Sequence, residues 1–369
     1  MGGAERYLLR LLPELKKRNI DVGFFCTYQN NNDEIITYFI HHFRQYEIPV
    51  YVYKTAYPNW LKNAHQLVKI IKNEEYTILN AHLLHAEIVS ALSKIFFRTS
   101  CKLVVTKHGY LQRFMDQYGL DYTKINKLSI SYLVEKYLQR TVTKNFAVSK
   151  GVADFYVQSG ICEASQMEVI YHGLDAYSGD KEIASIRYSD NQILVIARLK
   201  KFKGHSLIIE AVKILCEEIS DFKLLILGVG EEMNNLQNLV DKYNLSKWVA
   251  FEGHVENVYD YINGSDIIVA PSLAEPFGLI VLEAYSCAKP VIAFDVPAFD
   301  ENIVDGESGL LVLPYNIQSL AEKIKYLLQN KIIAKKMGEN GLEILKNKFS
   351  LSASIEQTID FYKHAMEMK

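Results

Sequence analysis

From end to end of the 369-residue chain, short apolar runs rich in β-branched and aromatic residues alternate with longer stretches of helical period. That alternation confines the fold to parallel sheets whose strands are joined by crossover helices, an α/β architecture. The first half offers strands at residues 22–28, 50–54, 77–81, 102–106, 145–148 and 168–171. After a polar segment, 175–191, which reads as a linker, the pattern restarts at 193–197, 223–227, 249–252, 267–270 and 291–294. The length exceeds what one hydrophobic core organises. Two doubly wound domains are therefore expected, 1–172 and 173–349, followed by a helix, 350–369, returning toward the first domain. Ser350 or Ser352 would cap that helix, and Ile355, Ile359, Phe361 and Tyr362 would form its apolar face. Sheets of this kind bind ligands beyond the carboxyl ends of their strands, so both domains are expected to line a shared cleft.

With 49% hydrophobic and 23% charged residues, the chain has the profile of a packed globular protein and not of a disordered or fibrous one. No apolar run reaches the length of a spanning helix and no leader pattern opens the sequence, so a cytoplasmic protein is expected. Cys26, Cys101, Cys162, Cys216 and Cys287 form no C-x-x-C pair, which argues against a zinc site or disulfide framework and predicts five small core residues. The net charge of −2 conceals an asymmetry: up to residue 172 there are 21 Lys and Arg against 15 Asp and Glu, and beyond it 20 against 28. The basic excess lies mostly between residues 51 and 150, which suits an anionic acceptor or anionic lipid head groups as well as an ordinary solvated surface.

One feature departs from a doubly wound domain. The chain opens on a glycine turn, Met1-Gly2-Gly3-Ala4-Glu5, with no strand before it. The central first strand is therefore expected to be missing, leaving its neighbours' ladder groups unpaired at about 1–3 kcal/mol for each buried group.

Three stretches carry candidate chemistry. Pro271-Ser-Leu-Ala-Glu275-Pro-Phe-Gly278 follows a buried run and opens a helix. There the backbone N–H groups of Phe277, Gly278 and Leu279 would face an anion, helped by the helix dipole. Glu275 and Glu283, eight positions apart, would flank the same ligand and accept from sugar hydroxyls; their other reading is a helix cap and a surface ion pair. Arg198 and Lys203, in the loop after the first strand of the second half, would converge on a diphosphate or else form a solvated basic loop. His108, where the run 102–106 ends in a polar turn, would meet a sugar hydroxyl as a neutral imidazole or serve the structure alone. His82 and His85 read as structural first. The glycines of Gly228-Val-Gly230 lack the third member of a dinucleotide fingerprint, and no P-loop, nucleophile elbow or H-E-x-x-H is present.

Taken in order, the motifs resemble those of the retaining glycosyltransferases of family 4. Gly2-Gly3-Ala4-Glu5 resembles its G-G-x-E turn, Ala147-Val148-Ser149 its A-x-S turn, Arg198 with Lys203 its basic pair, Glu275 through Glu283 its Glu-x7-Glu signature, and Gly306-Glu-Ser-Gly309-Leu-Leu-Val its glycine-bounded close. The resemblance implies the GT-B fold, with acceptor on the first domain and nucleotide-sugar donor on the second. It gives Arg198 and Lys203 the donor diphosphate, Glu283 the ribose, Glu275 and the 277–279 amides the donor sugar, His108 the sugar at the catalytic face, and Gly2 and Gly3 the phosphates or acceptor. It also implies a UDP- or GDP-sugar donor, retention of the anomer, no metal or other cofactor, no nucleic-acid partner, and a glycan or lipid-linked acceptor in surface polysaccharide or lipopolysaccharide synthesis, with possible docking on the inner face of the membrane. The family's glycine-rich turn after residues 291–294 is replaced here by Asp295-Val-Pro297-Ala298, in a loop that helps shape the donor pocket. A nucleotide-sugar epimerase of the same shape and an inactive binding scaffold are the alternatives; the intact basic pair and Glu-x7-Glu signature favour transfer.

Overall fold

The computed structural model describes residues 3–28, 33–54, 59–110, 125–177 and 185–368. They form two compact units. One takes the residues up to 110, those of 125–172 and those from 352 onward; the other runs from 173 to 351.

In the first unit the strands are β1 (Phe24–Tyr28), β2 (Val50–Lys54), β3 (Ile78–His82), β4 (Lys102–Lys107), β5 (Lys144–Ala147) and β6 (Met167–Val169). All pairings are parallel, in two separate sheets: β1 with β2, and β3-β4-β5-β6. Among the described residues no strand joins β1 to β3. Alternation sorts the side chains of β3 and β4 to opposite faces. Leu79 and Ala81 turn toward the helices Trp60–Asn73 and Leu83–Phe97, packing with Leu103, Val105, Leu67 and Val89. Asn80 and Thr106 turn the other way; Thr106 Oγ1 donates to Asn80 Oδ1 at 3.0 Å, and Asn80 Nδ2 donates to Tyr362 Oη at 2.7 Å. Tyr362 lies on the helix Leu351–Glu367, whose Phe361 meets Phe146 edge-on at 5.0 Å. Of the two caps the sequence offered, Ser352 lies inside this helix and donates to Glu356, while Ser350 stands immediately before its first residue.

The second unit contains one continuous parallel sheet in the order β12-β11-β10-β7-β8-β9. Its strands are β7 (Gln192–Ile196), β8 (Lys223–Leu227), β9 (Val249–Gly253), β10 (Ile267–Ala270), β11 (Val291–Phe294) and β12 (Gly309–Val312). The strands β10 and β11 read as unbroken apolar runs, as strands covered on both faces do, and every one of their residues is buried. β12 was not among the expected strands; Gly309-Leu-Leu-Val is short and begins directly after a turn, which hid it. The chain enters at β7, builds outward through β8 and β9, then crosses back to β10 beside β7. The carboxyl ends of β7 and β10 are therefore the point where the winding reverses, the place where such sheets bind ligands.

The cysteine expectation needs correction. All five are free thiols, but only Cys101 and Cys162 are buried; Cys26, Cys216 and Cys287 are partly exposed because their elements turn them to the rim of the core.

Candidate active site

The loops that leave β7 and β10 are locked together. Leu273 N donates to Phe202 O at 2.8 Å, and Gly204 sits so close to the second loop that a Cβ there would lie 1.8 Å from the Pro271 carbonyl oxygen. Gly204 also has φ +71°, a conformation glycine alone adopts freely. This close approach brings the two predicted clusters into contact: Lys203 Nζ lies 2.6 Å from Glu275 Oε2. Both side chains are largely buried, so the pair is less screened than a surface ion pair. Arg198, two residues past the end of β7, is exposed. Lys203 and Glu275, read from the sequence as contacts for different parts of a donor, are here each other's partner.

The helix that follows runs from Leu279 to Ser286, with Gly278 before it at φ +80°. Phe277 is buried, and Glu283, on the second turn, is also buried, which removes its reading as a surface ion-pair member. Behind this loop stands a single helical turn, Phe299–Asn302. A Cβ at Gly278 would meet the Phe299 ring at 2.6 Å, and Asn302 Nδ2 donates to the Phe277 carbonyl. The turn begins at Ala298, whose φ is +82° although it is not glycine. The substituted segment 295–298 thus leads directly into the turn whose Phe299 and Asn302 pack against the 275–278 loop.

In the first unit, His108 follows β4 and belongs to a ring cluster. His82 Nδ1 and His108 Nε2 are 2.7 Å apart, and the His108 ring stacks on His172 with centroids 5.7 Å apart. Tyr7 packs against all three, at centroid distances of 6.0, 5.3 and 4.7 Å to His82, His108 and His172. Burial pushes His82 and His172 down to about 3, and His108 falls well below its ordinary value through burial, reinforced by the other two rings. The rings are neutral at pH 7, and the close nitrogen pair consists of one donor and one acceptor. The turn is clamped at its flanks too. Buried Lys107 pairs with Glu87 at 2.7 Å and Glu135 at 3.0 Å, and Tyr156 Oη donates to Gly109 O at 3.2 Å. His82 thus bonds directly to the predicted His108, whereas His85 is exposed. The sequence reading missed His172, Tyr7 and Asn302; only the position of His172 just beyond a strand run hinted at the first. Gly3 opens the first helix and is exposed, while Gly2 lies outside the described residues.

Two consecutive α/β units of parallel strands, with a basic loop and a glutamate loop joined where the second unit's sheet reverses its winding, are the build of a GT-B glycosyltransferase. The family "Glycosyltransferase Family 4" matches residues 1–177 and the family "Glycosyl transferases group 1" matches residues 179–343. The chain belongs to these glycosyltransferases and is an enzyme of that class. It is 27% identical to an uncharacterized glycosyltransferase of Methanocaldococcus jannaschii, over 95% of this chain and 91% of the relative. It is 26% identical to the capsular polysaccharide biosynthesis glycosyltransferase CapM of Staphylococcus aureus, over 66% of this chain and 67% of CapM. Among solved structures, Anabaena HepE in complex with UDP-glucose superimposes with TM-score 0.78 at 21% identity, covering 99% of this chain and 96% of HepE. That likeness carries the fold.

Proposed function

We propose that this glycosyltransferase moves a sugar, with retention of the anomer, from a UDP- or GDP-sugar to a glycan or lipid-linked acceptor in surface polysaccharide or lipopolysaccharide synthesis. The observation that carries the reading is the meeting of the Arg198–Lys203 loop with the Glu275–Gly278 loop at the carboxyl ends of β7 and β10. In it Arg198 and Lys203 neutralise the diphosphate as it departs, and the amides at the start of the 279–286 helix add fixed positive dipoles. Glu283 accepts from the ribose hydroxyls and Glu275 from the transferred sugar. Neutral His108 donates to that sugar without adding charge beside a cationic transition state. The leaving phosphate oxygen assists deprotonation of the acceptor on the same face. The residues assigned to the diphosphate supply charge stabilisation without a metal. That S. aureus CapM is a capsular polysaccharide enzyme and HepE was solved with UDP-glucose supports the choice of donor and pathway.

A thermal-shift panel of UDP, GDP, ADP, CMP and their sugar conjugates, without metal, tests the donor site. A selective shift lost in Arg198→Ala and Glu283→Ala is expected, and no response from folded protein would overturn the assignment. NMR of the product anomer tests retention; an inverted anomer would sink it.

We also propose peripheral docking on the inner membrane face. The observation behind it is the helix Ile130–Leu138, which leaves Ile130 (82%), Leu133 (50%) and Tyr137 (56%) exposed beside Lys136 and Arg140. No helix among the described residues is long and apolar enough to cross a membrane. Flotation with vesicles containing anionic lipid should carry the protein upward, and its absence at low salt would count against docking.

A further inference from the structure

Gly278 stands where the donor loop turns into its helix, and glycine at φ +80° leaves the preceding peptide able to rotate. The next peptide is fixed separately, its Gly278 carbonyl accepting from Val281 N at 2.9 Å. The Phe277 carbonyl is taken by the Asn302 side chain, 25 residues further along the chain. Only the NH2 end of that amide can face a carbonyl, and Asn302 Oδ1 is accordingly buried with no hydrogen-bond partner among the described residues. A trans peptide is planar, so a carbonyl fixed in one direction fixes the next N–H in the opposite one. With its oxygen held by Asn302, the 277–278 peptide aims the Gly278 N–H away from the supporting turn. The Phe299 ring closes the same side, 2.6 Å from where a Gly278 Cβ would stand.

We infer that Asn302 is a positioning residue for sugar transfer: it fixes the 277–278 peptide so that the Gly278 N–H is presented to the sugar half of the donor. Two observations separate this from simple satisfaction of a buried carbonyl. The amide leaves its own Oδ1 unpartnered to make the bond, and it lies on a turn whose first residue, Phe299, presses on the same glycine. The inference rests on the proposed donor site and goes further by naming what orients it.

The test compares Asn302→Leu, which removes the donor at similar volume, with Asn302→Asp, which sets an oxygen against the Phe277 carbonyl. Dissociation constants are measured for UDP-glucose and UDP, or for whichever conjugate and free diphosphate of the panel the wild type binds. Both variants should bind the nucleotide sugar about tenfold more weakly while holding the free diphosphate within about twofold, because a single hydrogen bond to the sugar half is at stake. Loss of turnover should follow sugar affinity. Unchanged sugar affinity in folded variants would overturn the inference, and so would equal weakening of both ligands, the signature of a merely structural role. If wild type binds no member of the panel, the donor-site assignment itself falls and takes the inference with it. A diphosphate affinity that collapses in Arg198→Ala but not in the Asn302 variants separates the two claims.

Discussion

The two units use the same winding but keep their polar chemistry in different places. In the second, the sheet is continuous, β10 and β11 are wholly apolar, and charged groups gather where the winding reverses. In the first, the described strands divide into a pair and a set of four, β1 and β2 are only half buried, and ionisable groups lie inside: Lys107 with Glu87 and Glu135, and the rings of His82, His108 and His172. The difference shows that a shared topology does not dictate where a domain accepts the cost of burying charge. The first unit fixes its His108 turn from beneath with charges; the second fixes its glycine loops with backbone contacts and a tightly fitted turn.

The chain's two tryptophans allow the units to be followed separately, since Trp60 packs in the first and Trp248 lies in the second. The largest effect is expected from Lys107→Met, which strands two buried carboxylates and should cost the first unit about 3–5 kcal/mol. Urea unfolding followed by Trp60 fluorescence in a Trp248→Phe background should show it, with the Trp248 transition unmoved in the converse background. The matching change in the second unit is Gly204→Ala. Its methyl has no room against Pro271 and its backbone is strained, so a loss of about 2–4 kcal/mol is expected, reported by Trp248 and accompanied by loss of donor binding.

Acidity should distinguish the units next. Burial lifts Glu87 to about 7 despite the opposing pull of Lys107. A carboxyl raised in the folded state contributes stability at pH values below its unfolded pKa and loses it as pH rises through about 7. The three depressed histidines act oppositely: their contribution is present above about 6.5 and is lost as pH falls below it. Between about 4.5 and 6.5 the three histidines outweigh the one carboxyl, so the Trp60 melting temperature should climb through that range and level off above about 7, each proton adding a slope of up to about 1.4 kcal/mol per pH unit. Glu87→Gln removes the opposing carboxyl and should steepen that climb. The second unit has one such histidine, His205 at about 4, and should decline more gently on the acid side; a decline there as steep as the first unit's would break the comparison. The smallest effect is a gain: Ala298→Gly relieves φ +82° and should stabilise the second unit by about 1 kcal/mol, seen as a higher Trp248 transition.

Much of this was legible before any coordinates. β10 and β11 coincide with the expected runs because strands covered on both faces are apolar throughout, and β8 does so with its four buried apolar residues after Lys223; β2 coincides as well, though it is only half buried. The Arg198–Lys203 and Glu275–Glu283 stretches were legible because each directly follows such a run. Less accessible was anything depending on which loops touch. The Lys203–Glu275 pair spans 72 positions and exists because Gly204 lets two loops meet. The bond from His82 to His108 depends on β3 and β4 being neighbours in register, and Asn302 sits in a turn whose sequence looks like an ordinary polar connection. Lys107 reads as a solvated strand end until two helices bring carboxylates beneath it. The cysteines failed for a related reason: residue type predicts a preference for the interior, not which side of an element faces it.

The contact between Lys203 and Glu275 also alters what it means for an anion to arrive there. The ammonium already has a counter-ion, and that counter-ion is tethered to the same fold. On the proposed donor site, an incoming diphosphate at Lys203 would perform an exchange in place of a capture, and the ion it displaced could not diffuse away. The carboxylate would stay within reach, stripped of its cation and at its best as an acceptor for hydroxyl groups. Occupancy by phosphate at Lys203 would then be the event that frees Glu275.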